Sequence, residues 1–232
     1  MVGDFTRMMG DIAGQKPFWM TLQIAFSGVV KPGRTLRFPT FPEQRFMAYE
    51  AIVNGARGLT YFGGGLPQTL NERDQPLGFN WTYFDRVMRP LFQEVGPNSP
   101  ILPALLAPNS KLQLKVVSEA PPKRAVATKV EEQTPQAATP KQFVQDELAA
   151  DASAIECLAR ETEDSIYVLA CKKEGPTIRV RFSGLPKEIH GTGAGRVIFE
   201  EPRTVDAENG TFVDWFGPFE VHVYQFHGRS AQ

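Results

Sequence analysis

The sequence predicts two fold classes in succession, an α/β part and then an all-β part, and three observations lead to that reading. Between Pro17 and Phe62 an apolar strand, a capped helix and a second apolar strand follow one another, the order of a crossover unit with a parallel sheet. Prolines at 97, 100, 103 and 108 then lead the chain out of that pattern. Beyond them, short alternating runs separated by Gly, Pro and acidic turns predict a compact antiparallel β-sandwich. The expected division is residues 1–108 for the first part and 109–232 for the second.

Taken in order, Phe5, Met8, Met9 and Ile12 fall at helical spacing and predict a short amphipathic helix at the start. The run from Pro17 to Phe26 is apolar on both faces, as expected of a parallel strand covered by helices on each side. Loop-like sequence follows from Ser27 to Pro39. Thr40-Phe41-Pro42-Glu43 then joins a cap residue, a first-turn proline and a glutamate three places on, a strong helix start. The helix should reach Asn54, where Gly55 supplies a left-handed stop, and Ala56 to Phe62 reads as the second strand before Gly63-Gly64-Gly65. After a polar loop from Leu66 to Phe79, residues from Asn80 to Val95 carry Phe84, Val87, Met88, Leu91 and Val95 on one stripe, with a kink expected at Pro90. The sandwich strands are expected at Lys111–Val116, Ala154–Arg160, Ser165–Cys171, Thr177–Phe182, Arg196–Phe199, Thr211–Trp215 and Phe219–Phe226. A stretch at 119–142, rich in Pro, Ala, Thr and charge and poor in large apolar residues, cannot offset its ordering entropy and is expected to be a mobile insertion.

Charge and composition exclude several function classes. With 25 Lys+Arg against 26 Asp+Glu there is no basic field to gather nucleic acid or anionic lipid. No apolar run approaches the ~20 residues of a membrane helix, and the start lacks the pattern of a signal peptide. Localisation stays open. Cys157 and Cys171 flank the turn at Glu163-Asp164, which leaves a disulfide and two free buried thiols both open, with the free thiols favoured because disulfide scaffolds use more cysteines. His190, His222 and His227 lack metal-ligand spacing, and His222 alternates with Val221 and Val223 as a surface or interlayer residue would. The three glycines at 63–65 lack the Lys-Ser/Thr of a phosphate loop. No metal or cofactor is therefore expected.

The strings Lys16-Pro-Phe-Trp-Met-Thr-Leu-Gln23, Pro39-Thr-Phe-Pro-Glu-Gln-Arg45-Phe-Met-Ala-Tyr49 and Gly55-Ala-Arg-Gly-Leu-Thr-Tyr61-Phe resemble the last two βα units of bacterial glycoside hydrolase-like barrels, of the β-galactosidase and related clan A type. The ending from Gly210 through Asp214 and Pro218 to Tyr224 is similar to the terminal strands of the β-sandwich that follows such barrels. The resemblance implies a remnant of a (β/α)8 barrel that begins at the helix before strand seven, with the first six strands absent. It also implies a pair of carboxyl groups, an acid on strand four and a nucleophile on strand seven. Gln23 stands where that nucleophile would be, and a neutral amide cannot attack an anomeric carbon.

Barrel sites lie at the carboxyl ends of the strands, so the fold expectation points to Gln23, Tyr61 and the loops 27–39 and 63–80. Trp19 and Trp81 could stack on sugar rings, although large aromatics more often belong to a core, and the strand of Trp19 is expected to be buried. Glu72 and Asp74 are the acids placed to enter a site after the last strand, against the plainer reading of a solvated loop. Together these residues suggest part of a sugar-binding wall in a carbohydrate-active hydrolase, inactive as an isolated chain. The alternative is a non-catalytic carbohydrate- or protein-binding module. Unpaired strand edges would then be covered by a second copy or by a separate amino-terminal barrel chain.

Overall fold

The structure, a computed structural model, describes residues 1–24, 38–62, 81–119 and 154–228. Of the expected loops at 27–39 and 63–80, with Glu72 and Asp74, and the expected insertion at 119–142, all but residues 38, 39 and 119 lie outside the described residues, and Glu119 is the last residue of a strand and not part of a mobile segment.

The capped helix forms as its sequence dictates. In α2 (Phe41–Val53) the Thr40 side chain and the Glu43 carboxylate satisfy each other's backbone N–H groups in a capping box, with Thr40 N–H donating to Glu43 at 2.8 Å. Gly55 ends it at φ 104°, a left-handed value that other residues rarely adopt. On either side run β1 (Trp19–Gln23) and β2 (Gly58–Phe62), paired in parallel with Trp19 opposite Gly58 and Gln23 opposite Phe62. Leu22, Met20, Leu59 and Tyr61 face α2 and share a core with Ala48, Ala51 and Leu91.

Burial of β1 on both faces is not what forms. Thr21 and Gln23 are exposed and Trp19 is 65% exposed, because α2 covers one face of the pair and no described element covers the other. An apolar run alone cannot say whether a second layer exists to cover it.

The last helix of the α/β part is divided. It begins at α3 (Trp81–Tyr83), widens into a π-helical turn at Phe84–Met88 and resumes as α4 (Arg89–Val95). Arg89 N–H bonds the Phe84 carbonyl five residues back. Pro90 thus falls in the first turn of α4, directly after the π turn, where its missing N–H costs least. A short α5 (Leu102–Leu106) follows.

The amphipathic start, α1 (Val2–Ala13), docks with its apolar stripe outward: Phe5, Met8, Met9 and Ile12 are all exposed. Its buried positions are Gly3 and Thr6. Val2 packs against the apolar cluster under α2, and Arg7 ties the helix to the body by donating to Asn54 Oδ1 at 2.6 Å and to Glu156 Oε1 at 2.7 Å.

Eight strands make the rest: β3 (Lys115–Glu119), β4 (Ile155–Glu161), β5 (Ser165–Lys172), β6 (Ile178–Ser183), β7 (Gly191–Ile198), β8 (Thr204–Glu208), β9 (Thr211–Phe216) and β10 (Val221–His227). They form one continuous antiparallel sheet in the order β3-β6-β9-β8-β7-β10-β5-β4. The sheet curls around a single core to which each of its strands contributes, centred on Val168, Val180, Phe182, Phe212, Tyr224 and Phe226. Closure is nearly complete. Asn109, ahead of β3, bridges Arg160 on the opposite edge strand β4. The outer face of β5 and β10 offers Tyr167, Leu169, Cys171, Val221 and Val223 to Phe46, Tyr49 and Ile52 of α2.

This curl settles the cysteines. Cys157 pairs with Ala170 and turns toward the inner core, whereas Cys171 pairs with Glu156 and turns outward toward α2. Thiols on opposite faces of a sheet cannot be bridged without moving backbone, and both are free. Burial pushes the Cys157 thiol up to about 11, so it holds little reactive thiolate at neutral pH.

Candidate functional site

The face of the β1–β2 pair that no described element covers gathers two of the residues singled out from sequence. Alternation places Trp19, Thr21 and Gln23 of β1 on it, beside Gly58, Thr60 and Phe62 of β2. Trp19 and Phe62, both well exposed, sit at opposite ends, separated along the strands by about 13 Å at ~3.3 Å per residue. Between them the Thr21 and Thr60 hydroxyls share a hydrogen bond of 2.7 Å. Gly58 is required by the indole: a Cβ there would stand 2.5 Å from Trp19 Cδ2, well inside van der Waals contact. The result is an open strip with an aromatic at each end and hydroxyl and amide groups between. None of its six residues is acidic.

Tyr61 does not join them. It faces the helical layer, its ring edge-on to Phe92 with centroids 5.6 Å apart, and its hydroxyl is buried without a hydrogen-bond partner. Burial raises its phenol well above the ordinary value. Trp81 opens α3, and Glu72 and Asp74 lie outside the described residues.

A second constellation, in the curled sheet, escaped the sequence reading. His222 is 7% exposed, which excludes the surface alternative, and it lies on the inner side of β10 with Tyr224. Its Nδ1 meets Glu200 Oε1 at 2.5 Å and its Nε2 meets the Trp215 carbonyl at 3.2 Å. Arg203 donates to Glu200 Oε2 at 2.7 Å and pairs with Asp214 Oδ1. Asp214 also accepts from the Tyr224 hydroxyl at 2.6 Å and from Trp215 N–H at 2.8 Å. Burial alone would raise the Glu200 carboxyl, but His222 and Arg203 hold it below the ordinary 4.5. The network ties the turn between β7 and β8 to β9 and β10 and leaves its charges paired, which is the arrangement of a structural clamp. Glu200 and Arg203 come from a turn and Asp214 and His222 from different strands, so no sequence spacing announces the cluster.

Beside it, a broad recess of ≈ 1020 Å³ runs over β6, β8 and β9 and includes Arg179, Arg181, Asp206 and Asp214. Arg179 and Arg181 are already paired with Glu119. Among the described residues no group of three or more His, Cys, Asp or Glu is placed to hold a metal ion.

No family profile matches the chain, and no curated protein matches it in sequence. Coarse structural similarity exists to an α-amylase from Geobacillus thermoleovorans solved with acarbose, at 11% identity and a TM-score of 0.43, covering 82% of this chain and 34% of that one. A GH30 endoxylanase from Clostridium papyrosolvens gives 11% identity and a TM-score of 0.41, covering 98% and 46%. A glycoside hydrolase family 30 xylanase from Clostridium acetobutylicum gives 12% and 0.42, covering 92% and 43%. The chain therefore spans between a third and a half of the length of these glycoside hydrolases, and at such scores the likeness bears no functional argument.

Proposed function

We propose that the chain supplies one wall of a carbohydrate-binding site of the glycoside hydrolase type, buttressed by the curled sheet, and that it has no glycosidase activity alone. The observation that carries this reading is the open β1–β2 face. Aromatic rings such as Trp19 and Phe62 match the C–H faces of sugar rings, and Thr21, Thr60 and Gln23 between them can exchange hydrogen bonds with hydroxyls. Hydrolysis requires an acid and a second carboxylate across the scissile bond, and the described residues of this face offer neither. Titration with xylo-, cello- and malto-oligosaccharides, followed by tryptophan fluorescence, tests the reading. Saturable quenching should vanish in Trp19→Ala and persist in Trp215→Phe; absence of binding, or binding that survives Trp19→Ala, would contradict it. A panel of aryl glycosides tests the second half, and turnover that persists through repurification would overturn it.

A second reading, a non-catalytic module that docks on protein, is favoured by one observation. Both the β1–β2 face and the α1 stripe present apolar side chains to solvent, as a surface that meets a second copy or a separate barrel chain would.

A further inference from the structure

On the covered side of β2, α4 and α5 flank a half-open cavity of ≈ 450 Å³, within the range of small-molecule sites. Its walls are apolar, with Ile52, Leu59, Phe92, Val95, Leu102 and Leu105. Two cations also line it, Arg57 and Arg160. Arg160 extends from β4 and is 2% exposed, yet its Nε has no hydrogen-bond partner. Both guanidiniums donate to one acceptor, the Ala107 carbonyl, Arg57 at 3.2 Å. Among the described residues neither has a carboxylate partner. Burial of Arg160, and next the charge of Arg57, bring its ordinarily very high value down to about 10.

A buried guanidinium is normally paired, because an uncompensated charge in an apolar wall is costly and one carbonyl cannot satisfy five donors. Here the buried Arg160 keeps an unpartnered Nε, and the exposed Arg57 converges with it on one carbonyl at the edge of an apolar cavity. A planar fork is the geometry that carboxylates match, while the chamber favours an apolar body behind the anionic group.

We propose that the cavity between β2, α4 and α5 binds a small carboxylate with an apolar body, a medium-chain or aryl-alkyl acid, whose carboxylate is held by Arg57 and Arg160. Tyr61 also lines the cavity, with its hydroxyl buried and unpartnered. Apart from Gly58, which has no side chain, the site shares no residue with the open β1–β2 face, so a failure of sugar binding leaves it untouched.

The test uses the full chain with octanoate and 4-phenylbutyrate, and with octanamide and 4-phenylbutanol as neutral counterparts, by calorimetry and thermal shift. The acids should bind and raise the melting temperature, with the neutral probes weaker by about tenfold or more, since the charged hydrogen bonds are lost. Arg57→Gln, at an exposed position, should weaken the acids by about the same factor while leaving the neutral probes unchanged. Leu105→Trp, which fills the chamber, should abolish binding of both classes. Arg160→Gln serves as a second variant where circular dichroism shows it folded. Equal affinity for acid and neutral probes, affinity insensitive to Arg57→Gln, or no binding of either acid would overturn the proposal.

Discussion

Asp214→Ala probes the clamp that holds the curled sheet together. The carboxylate, 7% exposed, accepts from the fully buried Tyr224 hydroxyl and from Trp215 N–H, and it pairs with Arg203. Removing it strands the hydroxyl, a loss of ~1–3 kcal/mol for a buried unsatisfied group. It also unpairs a guanidinium whose side chain is 33% exposed, so the charged contact, nominally ~1.5–3 kcal/mol, is to be roughly halved for solvent screening. The expected destabilisation is about 3 kcal/mol. With a urea slope of ~1–3 kcal/mol per molar, the midpoint should fall by more than ~1 M at unchanged slope. Tyr224→Phe should cost less, and the double variant should cost less than the sum, because both single changes break the same bond. A midpoint shift under ~0.3 M, or strict additivity, would refute the view that these groups act as one unit.

Two other outcomes follow from the same geometry. Glu200 has a folded value below the ordinary 4.5, so it binds its proton less readily when folded; its contribution to stability is present above 4.5 and is lost as pH falls through the folded value. Melting temperatures measured between pH 7 and 3 should therefore drop less steeply in Glu200→Gln than in the parent chain, and superimposable acid limbs would show that the carboxylate is not held by His222 and Arg203. Secondly, the outward stripe of α1 should bind a hydrophobic dye or drive self-association, each such side chain being worth ~1.5–3 kcal/mol on burial, and Phe5→Ser with Ile12→Ser should suppress both. Sedimentation and dye fluorescence decide this; a compact monomer that binds no dye contradicts it.

Local chemistry was legible in the sequence, and layer assignment was not. The Thr40–Glu43 box, the turn at Gly55 and the parallel pairing of β1 with β2 all appear where the residues indicate, because capping and backbone preference act over a few positions. Period-two alternation identified β5, β6, β9 and β10 but not β8, whose Thr204-Val-Asp-Ala-Glu208 is short and polar, nor the start of β7, where three glycines lack side chains to alternate. Whether the strands make two sheets or one curled sheet depends on pairing partners far apart in sequence. The orientation of α1 was hidden for a related reason: its stripe predicts an amphipathic helix, but the helix docks through Gly3 and Arg7 on the Asn54 amide and the Glu156 carboxylate, partners far away in sequence. At the candidate site, Trp19 and Gln23 share a face, whereas Tyr61 falls on the other because a strand alternates and the α2 layer claims one side. His222 became part of a network only once Glu200, Arg203 and Asp214 were folded around it.

The most direct measurement of the central claim is a backbone amide NMR titration with an oligosaccharide identified in the fluorescence screen. The account predicts saturable shifts concentrated at Trp19, Thr21, Gln23, Thr60 and Phe62, with the core amides of β5 and β10 unmoved. Shifts confined to the curled sheet, or none at saturating sugar, would contradict it.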